Sequence, residues 1–268
     1  MKTPPRATTR DYLRELGVAE LPPLTSPFDP GYDPLTLESH LSQSHHLMAA
    51  IKISMACWLV AEEEATRRKV AAARDAAVPA VTGGGPFEVA VAQRKLPQYL
   101  ELCADIGFSR IECGAGFTDV DLDAKRIVGL AADHGLEVQY EVGDKHAEFS
   151  LASAIAIGTE WLDAGAVSIV VEARESAASV GLFDASGSLD TAGGERLVEA
   201  LGLDRVVFEA PTKDSQFAFL SHFGPHVRLG NVRLEELLRV EIYRRGLHSD
   251  AFSQPKLRPR RDPGDDVA

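Results

Sequence analysis

Short branched apolar runs recur along this chain at a nearly fixed interval, and most of them end on a charged residue. The runs are "MAAIKIS", "VPAVTG", "FSRIECG", "EVQYEVG", "VSIVVEA", "DRVVFEA" and "HVRLGN". Six of them place Lys52, Thr82, Glu112, Glu141, Glu172 and Glu209 at their C-terminal ends, which by subtraction are 30, 30, 29, 31 and 37 residues apart. Runs of this length without strict alternation read as strands buried on both faces. The gaps carry helical periodicity, as in "EEEATRRKVAAARDAA", "KLPQYLELCADIG", "DLDAKRIVGLAADHG" and "VRLEELLRVEIYRRG", several of which stop at a glycine. A strand with its helix takes about 30 residues, so the interval is that of a repeated βα unit.

With "VRLGN" as the last strand and an earlier one around "PPLTSPF", eight units fit within residues 23–252. That is the size of a single (β/α)8 TIM barrel. The alternative, an open doubly wound sheet, calls for a GxGxxG fingerprint after the first strand. The one glycine cluster, "TGGGPFE", lacks that spacing and follows the third strand. Residues 1–22 are rich in charge, Thr and Pro, and are expected to form a loose arm in which "RDYLREL" can make a short docking helix. Residues 253–268 are expected to be a disordered tail, because Pro and mixed charges offer too little to bury.

Lys and Arg number 28 against 40 Asp and Glu, a net charge of −12. Such a balance argues against nucleic-acid and anionic-membrane surfaces, which require a basic patch, and leaves a small molecule as the expected partner. The three cysteines, Cys57, Cys103 and Cys113, form no CxxC pair, and no apolar stretch reaches membrane-spanning length. The polar start, "MKTPPRATTRDYLREL", has no apolar signal region, so a cytoplasmic location is expected.

A barrel carries its chemistry at the C-terminal ends of its strands, where Glu112, Glu141, Glu172 and Glu209 close four successive strands here. Lys52, Lys145, Arg174, Lys213 and Asn231 lie at or just past strand ends. Four carboxylates in one mouth repel one another unless cations or a metal offset them. Hard oxygen ligands suit Mg²⁺, and these four are the expected metal ligands. The competing reading is that each glutamate pairs with a neighbouring Lys or Arg and is structural. The cations imply an anionic ligand, and the stretches "EAPTKDSQ" and "LGNVRLEE" place Lys213 and a helix N-terminus after strands 7 and 8, where barrels commonly bind phosphate.

"TGGGPFE", "YLELCADIGFSRIECGAG", "GLEVQYEVGDK", "VVEARES", "VVFEAPTKDSQ", "FGPHVRLGNV" and "LRVEIYRRGLHSD" together resemble the phosphosulfolactate synthase family, in order across roughly residues 50–252. The resemblance implies a (β/α)8 barrel and Mg²⁺-dependent addition of sulfite to phosphoenolpyruvate. It also implies a homo-oligomer, since the family's members self-associate. The rim pattern it carries over falls on Lys52, Glu112, Glu141, Lys145, Glu172, Arg174, Glu209, Lys213 and Asn231. In that reading Lys145 or Lys52 donates the proton, its pKa lowered by burial, Arg174 takes part in catalysis by clamping an anion, and Gly84, Lys213 and Asn231 bind substrate.

The departures gather on the first three strands. Asp29-Pro30-Gly31 stands where the family has Asp-Lys-Gly, and "SMACW", Ser54 to Trp58, replaces Gly-Trp-Gly-Thr-Ser. "TGGGP" replaces Pro-Gly-Gly-Thr, with no hydroxyl at Gly85, and the second Lys expected near Lys145 is shifted or absent, since Asp144 precedes it and His146 follows. Such a pattern is that of an enzyme with the metal and anion half of the site retained and the other half rebuilt. Two alternatives stay open: a changed substrate in a secondary-metabolite pathway, or a non-catalytic barrel like the family's heat-stress-associated plant proteins. His45 and His46 read as solvated helix-end residues, Cys113 as a packed hydrophobe, His146 as a loop residue, Trp58 and Trp161 as packing residues, "TRRK" at 66–69 as an exposed helix face and "RPRR" at 258–261 as an exposed tail.

Overall fold

The computed structural model describes residues 8–116, 118, 120–143, 150–173 and 176–258. Eight strands, β1 (Thr25–Asp29), β2 (Ile51–Ile53), β3 (Ala80–Thr82), β4 (Arg110–Cys113), β5 (Glu137–Val142), β6 (Ser168–Val171), β7 (Val206–Glu209) and β8 (Arg228–Arg233), pair in parallel in chain order. Pairing of β8 with β1 closes the barrel. The expected TIM barrel is therefore the fold.

Each strand is followed by helix, beginning with Pro34–Ser44 after β1 and ending with Leu237–Arg244 after β8. Two of these helices bear on the site. Cys57–Val60 is a single turn just past β2, and Gly84–Ala92 starts two residues after β3. The core lies between sheet and helices, where Trp161 stacks on Tyr140 at 4.1 Å and Phe208 on Phe219 at 4.6 Å. Strands β6 and β7 are buried at every position, which explains their unbroken apolar sequence.

Three expectations change. The N-terminal segment does form a helix, Thr9–Glu15, closed by a Thr8–Asp11 capping box, but none of its residues is buried. At the other end the chain stays docked past residue 253, since Leu257 belongs to the core. The "TRRK" run is not an exposed face: Thr66 and Lys69 are buried, and Lys69 Nζ lies 2.7 Å from Asp29 Oδ2. Spacing of three and four residues puts Thr66, Lys69, Val70 and Ala73 on one helix face. Asp29 also accepts from the N–H groups of Gly31 and Tyr32, so its buried charge is fully engaged behind the Pro30 turn.

Candidate active site

At the C-terminal mouth of the barrel is a cavity of about 510 Å³. Its floor is a chain of hydrogen bonds centred on Lys52 of β2. The Lys52 ammonium lies 3.1 Å from both oxygens of Glu112, on β4, and 3.1 Å from Glu209 Oε1, on β7. Lys52 is the one cationic side chain among the described lining residues. Burial alone would lower its pKa, but Glu112 and then Glu209 outweigh that, and the ammonium is held above its ordinary range. The expectation of a burial-lowered lysine at this position is thus reversed. Lys52 is a fixed positive charge and a poor proton donor near neutral pH.

Glu112 is saturated with donors. Besides Lys52, its Oε1 accepts from the Gly84 N–H at 3.1 Å and its Oε2 from Gln139 Nε2 at 2.8 Å. Gln139 in turn accepts from Arg110, which is paired with Glu137 at the opposite end of the barrel. A polar thread therefore runs down the barrel axis, where layers of branched apolar side chains are the usual filling.

Glu209 Oε1 accepts from Lys52 and from Asn231 Nδ2, and its Oε2 accepts from the Ala173 N–H at 3.0 Å. Asn231 owes its position to a bulge. Between Thr25 and Pro27 the β1–β8 register advances three residues on β8 against two on β1. Within the bulge Asn231 has φ +50°, a left-handed conformation that Asn tolerates better than most residues. The bulge turns its amide toward Glu209 and leaves its Oδ1 buried with no protein partner at the cavity wall.

Glu172 follows β6 directly and is almost fully buried. Burial, then the nearby Glu209 carboxylate, push its pKa up to about 9 against the pull of Lys52. Gly143, at φ +132°, makes room for it: a Cβ there would stand 2.6 Å from the Glu172 Cβ. Glu141, half-buried, lines the same wall.

The four glutamates expected as one metal centre all line the cavity, and Glu112 and Glu209 spend their oxygens on Lys52 and its neighbours. Among the described residues no three His, Cys, Asp or Glu side chains are grouped to hold a metal. Gly84 meets the carboxylate of Glu112 rather than open space, so its N–H is committed within the protein. Lys213 is outside the cavity: it is the first residue of the helix Lys213–Phe223 and pairs with Asp250 at 3.3 Å. Lys145, His146 and Arg174 lie outside the described residues. Cys113 is buried, and burial lifts its thiol well above the usual range, as expected of a packing residue.

Sequence reading missed Glu88, Gln139 and an apolar wall. Glu88, at the end of "TGGGPFE", is buried in the helix Gly84–Ala92, lines the cavity and accepts from the Gly116 N–H at 3.0 Å and the Thr118 hydroxyl at 3.1 Å. Gln139 sits mid-strand in "EVQYEV", where a polar residue between apolar ones is a usable signal. Met55, Leu59, Pro86 and Val89 form the apolar wall.

Residues 23–250 match the family profile of (2R)-phospho-3-sulfolactate synthase. The phosphosulfolactate synthase of Methanocaldococcus jannaschii is 31% identical over 236 residues, spanning 86% of this chain and 94% of that one. That of Bacillus subtilis is 32% identical over 180 residues, spanning 63% and 69%. Among solved structures, the YdjI aldolase of Escherichia coli K12 superposes with a TM-score of 0.52 at 13% identity, covering 94% of this chain and 88% of that one. A dihydrodipicolinate synthase of Agrobacterium tumefaciens does so at 0.51 and 12%, covering 90% and 80%. The structural likenesses reflect a shared barrel alone, whereas the sequence matches carry the site-bearing strands, and the chain belongs to the phosphosulfolactate synthase family of lyases.

Proposed function

We propose that the protein catalyses the Mg²⁺-dependent addition of sulfite, or a related nucleophile, to phosphoenolpyruvate. The observation that carries this reading, beside family membership, is the Lys52 clamp: a permanent cation aimed into a cavity at the catalytic end of the barrel. Attack of the sulfite sulfur on the methylene carbon forms a C–S bond and sends the double-bond electrons toward the carboxylate. Lys52, held charged by Glu112 and Glu209, is the described cation at the cavity that can offset that charge. The neighbouring carbon then takes up one proton. In this reading Lys145 supplies it and Arg174 clamps the anion.

The donor set is compatible with Mg²⁺, which binds through one or two carboxylates and completes its shell with water and substrate oxygens. Glu141 fits that role, and Glu172 would join it on giving up its proton. The oxygens of Glu112 and Glu209 are engaged by Lys52, Gly84, Gln139, Asn231 and Ala173. A bound Mg²⁺ would supply neutralisation of the negative charge built up on the substrate carboxylate. A reducing cytoplasm and a self-associating barrel accompany this reading, the former supported by three free cysteines. No helix among the described residues is long and apolar enough to cross a membrane.

Purified protein incubated with Mg²⁺, phosphoenolpyruvate and sulfite is expected to form phosphosulfolactate, read by phosphorus resonance and mass spectrometry. Absence of product with sulfite, alongside turnover with another nucleophile, would narrow the reading to an altered substrate. No turnover with any nucleophile would sink it.

A further inference from the structure

The cavity has two unlike halves. Lys52, Glu141, Glu172 and Asn231 line one, and Met55, Leu59 and Val89 line the other. These three apolar side chains are 62%, 47% and 52% exposed, and all line the same open cavity. Scattered exposed apolar residues are ordinary, but a set that converges on a cavity marks a binding surface. The wall is also held in place. Met55 has φ +51°, unfavourable for an unbranched residue outside glycine, and its backbone packs so closely on Gly83 that a Cβ there would lie 2.6 Å from Met55 N. Backbone strain kept at the edge of a cavity points to a purpose for the side chain it presents. One helical turn before Val89, a Cβ on Gly85 would meet nothing within 4 Å, so the space beside the wall is open. Sulfite has no apolar surface to offer it, and phosphoenolpyruvate only its methylene.

We infer that the nucleophile added to phosphoenolpyruvate is a relative of sulfite carrying a short alkyl or aryl group, which lies against Met55, Leu59 and Val89 while its anionic head occupies the charged half. The inference rests on the proposed anion chemistry for the head group but not for the wall. Met55 lies in the stretch from Ser54 to Trp58, where the sequence departs from the family pattern; Leu59 follows that stretch directly and Val89 is one helical turn past the altered Gly85.

Calorimetric titration of the full chain with two probe series separates these parts. One series is the n-alkylsulfonates from methane- to hexanesulfonate, the other the n-alkanols of the same lengths. Both are expected to bind roughly two- to fourfold tighter per added methylene, fourfold corresponding to about 0.8 kcal/mol per buried methylene. The dependence should vanish in the double variant Met55→Asp, Leu59→Asp and persist in Met55→Leu, whose melting curve controls for folding. Affinity that does not change with chain length, or a dependence retained in the double variant, would overturn the inference. So would sedimentation showing that a second copy of the chain covers the wall in the probe-free protein. Chain-length dependence with no preference for sulfonate over alkanol would keep the wall and count against the anion chemistry alone.

Discussion

The Lys52 ammonium lies 3.1 Å from each oxygen of Glu112, and Glu209 meets it from the other side of the barrel at the same distance. Three charges from three non-adjacent strands are therefore bound into one unit with net charge −1 if all are ionised. Replacing Lys52 by Met would leave two carboxylates facing one another with nothing between them. Breaking a buried pair from one side is expected to destabilise by about 3–5 kcal/mol. Urea unfolding should show that loss for Lys52→Met and a smaller one when Glu112→Gln is added. An unchanged midpoint for the single variant would mean that the clamp does not form.

Glu172 gives the protein a definite pH dependence. Its folded pKa, pushed up to about 9, stands above the unfolded value near 4.5, so the folded state holds the extra proton between those pH values. Stability linked to this group is complete below about pH 4.5 and is lost as pH rises toward 9. Glu172→Gln should flatten that slope and raise the melting temperature at pH 8, where each kcal/mol corresponds to ~2–4 °C for a chain of this size. A slope between those pH values that the variant does not alter would contradict the assignment.

Gln139 holds Glu112 from below, and Arg110 fixes which way round its amide lies. Gln139→Leu removes a donor from a buried carboxylate, for which a loss of ~1–3 kcal/mol is expected. Turnover should fall more than substrate affinity, because Lys52 keeps its charge but loses its fixed aim. Gln139→Glu should be worse, since it adds a carboxylate to the site. Stopped turnover measurements on the three proteins give the order.

Lys213 is expected to matter little. Its partner Asp250 is exposed, and the ammonium also lies 5.1 Å from the Phe217 ring on the outer surface. Exposed pairs contribute about 0–1 kcal/mol, so Lys213→Ala should leave both the unfolding midpoint and substrate affinity close to wild type. A tenfold rise in KM would return this residue to the site.

What could be read from the chain was set by periodicity. Strand ends 29 to 31 residues apart carry the barrel in their spacing, and the one longer interval, Glu172 to Glu209, holds the loop in which Phe183 bridges Leu189. The residues at those ends were likewise legible as a rim of charge. Their partners were not, because Glu112, Lys52 and Glu209 meet across the barrel, and a distance across a closed sheet leaves no trace in local pattern. Lys213 shows the same gap at short range. Thr212 and Ser215 cap its helix, and one position into a helix is enough to carry a side chain out of the cavity. The burial of Lys69 was recoverable, since its place three residues from Thr66 and one before Val70 marks the inward face.

The contact between Gly83 and Met55 reaches beyond ligand affinity. Because the end of β3 and the loop after β2 pack so closely that a Cβ on Gly83 would lie 2.6 Å from Met55 N, neither can be lengthened or re-angled without the other. Descent with modification at this mouth is thereby channelled into exchanges of side chains at 55, 59 and 89 on an unmoving frame. A family tree of such proteins should record new specificities as point substitutions at these three positions, with insertions and deletions kept away from both loops.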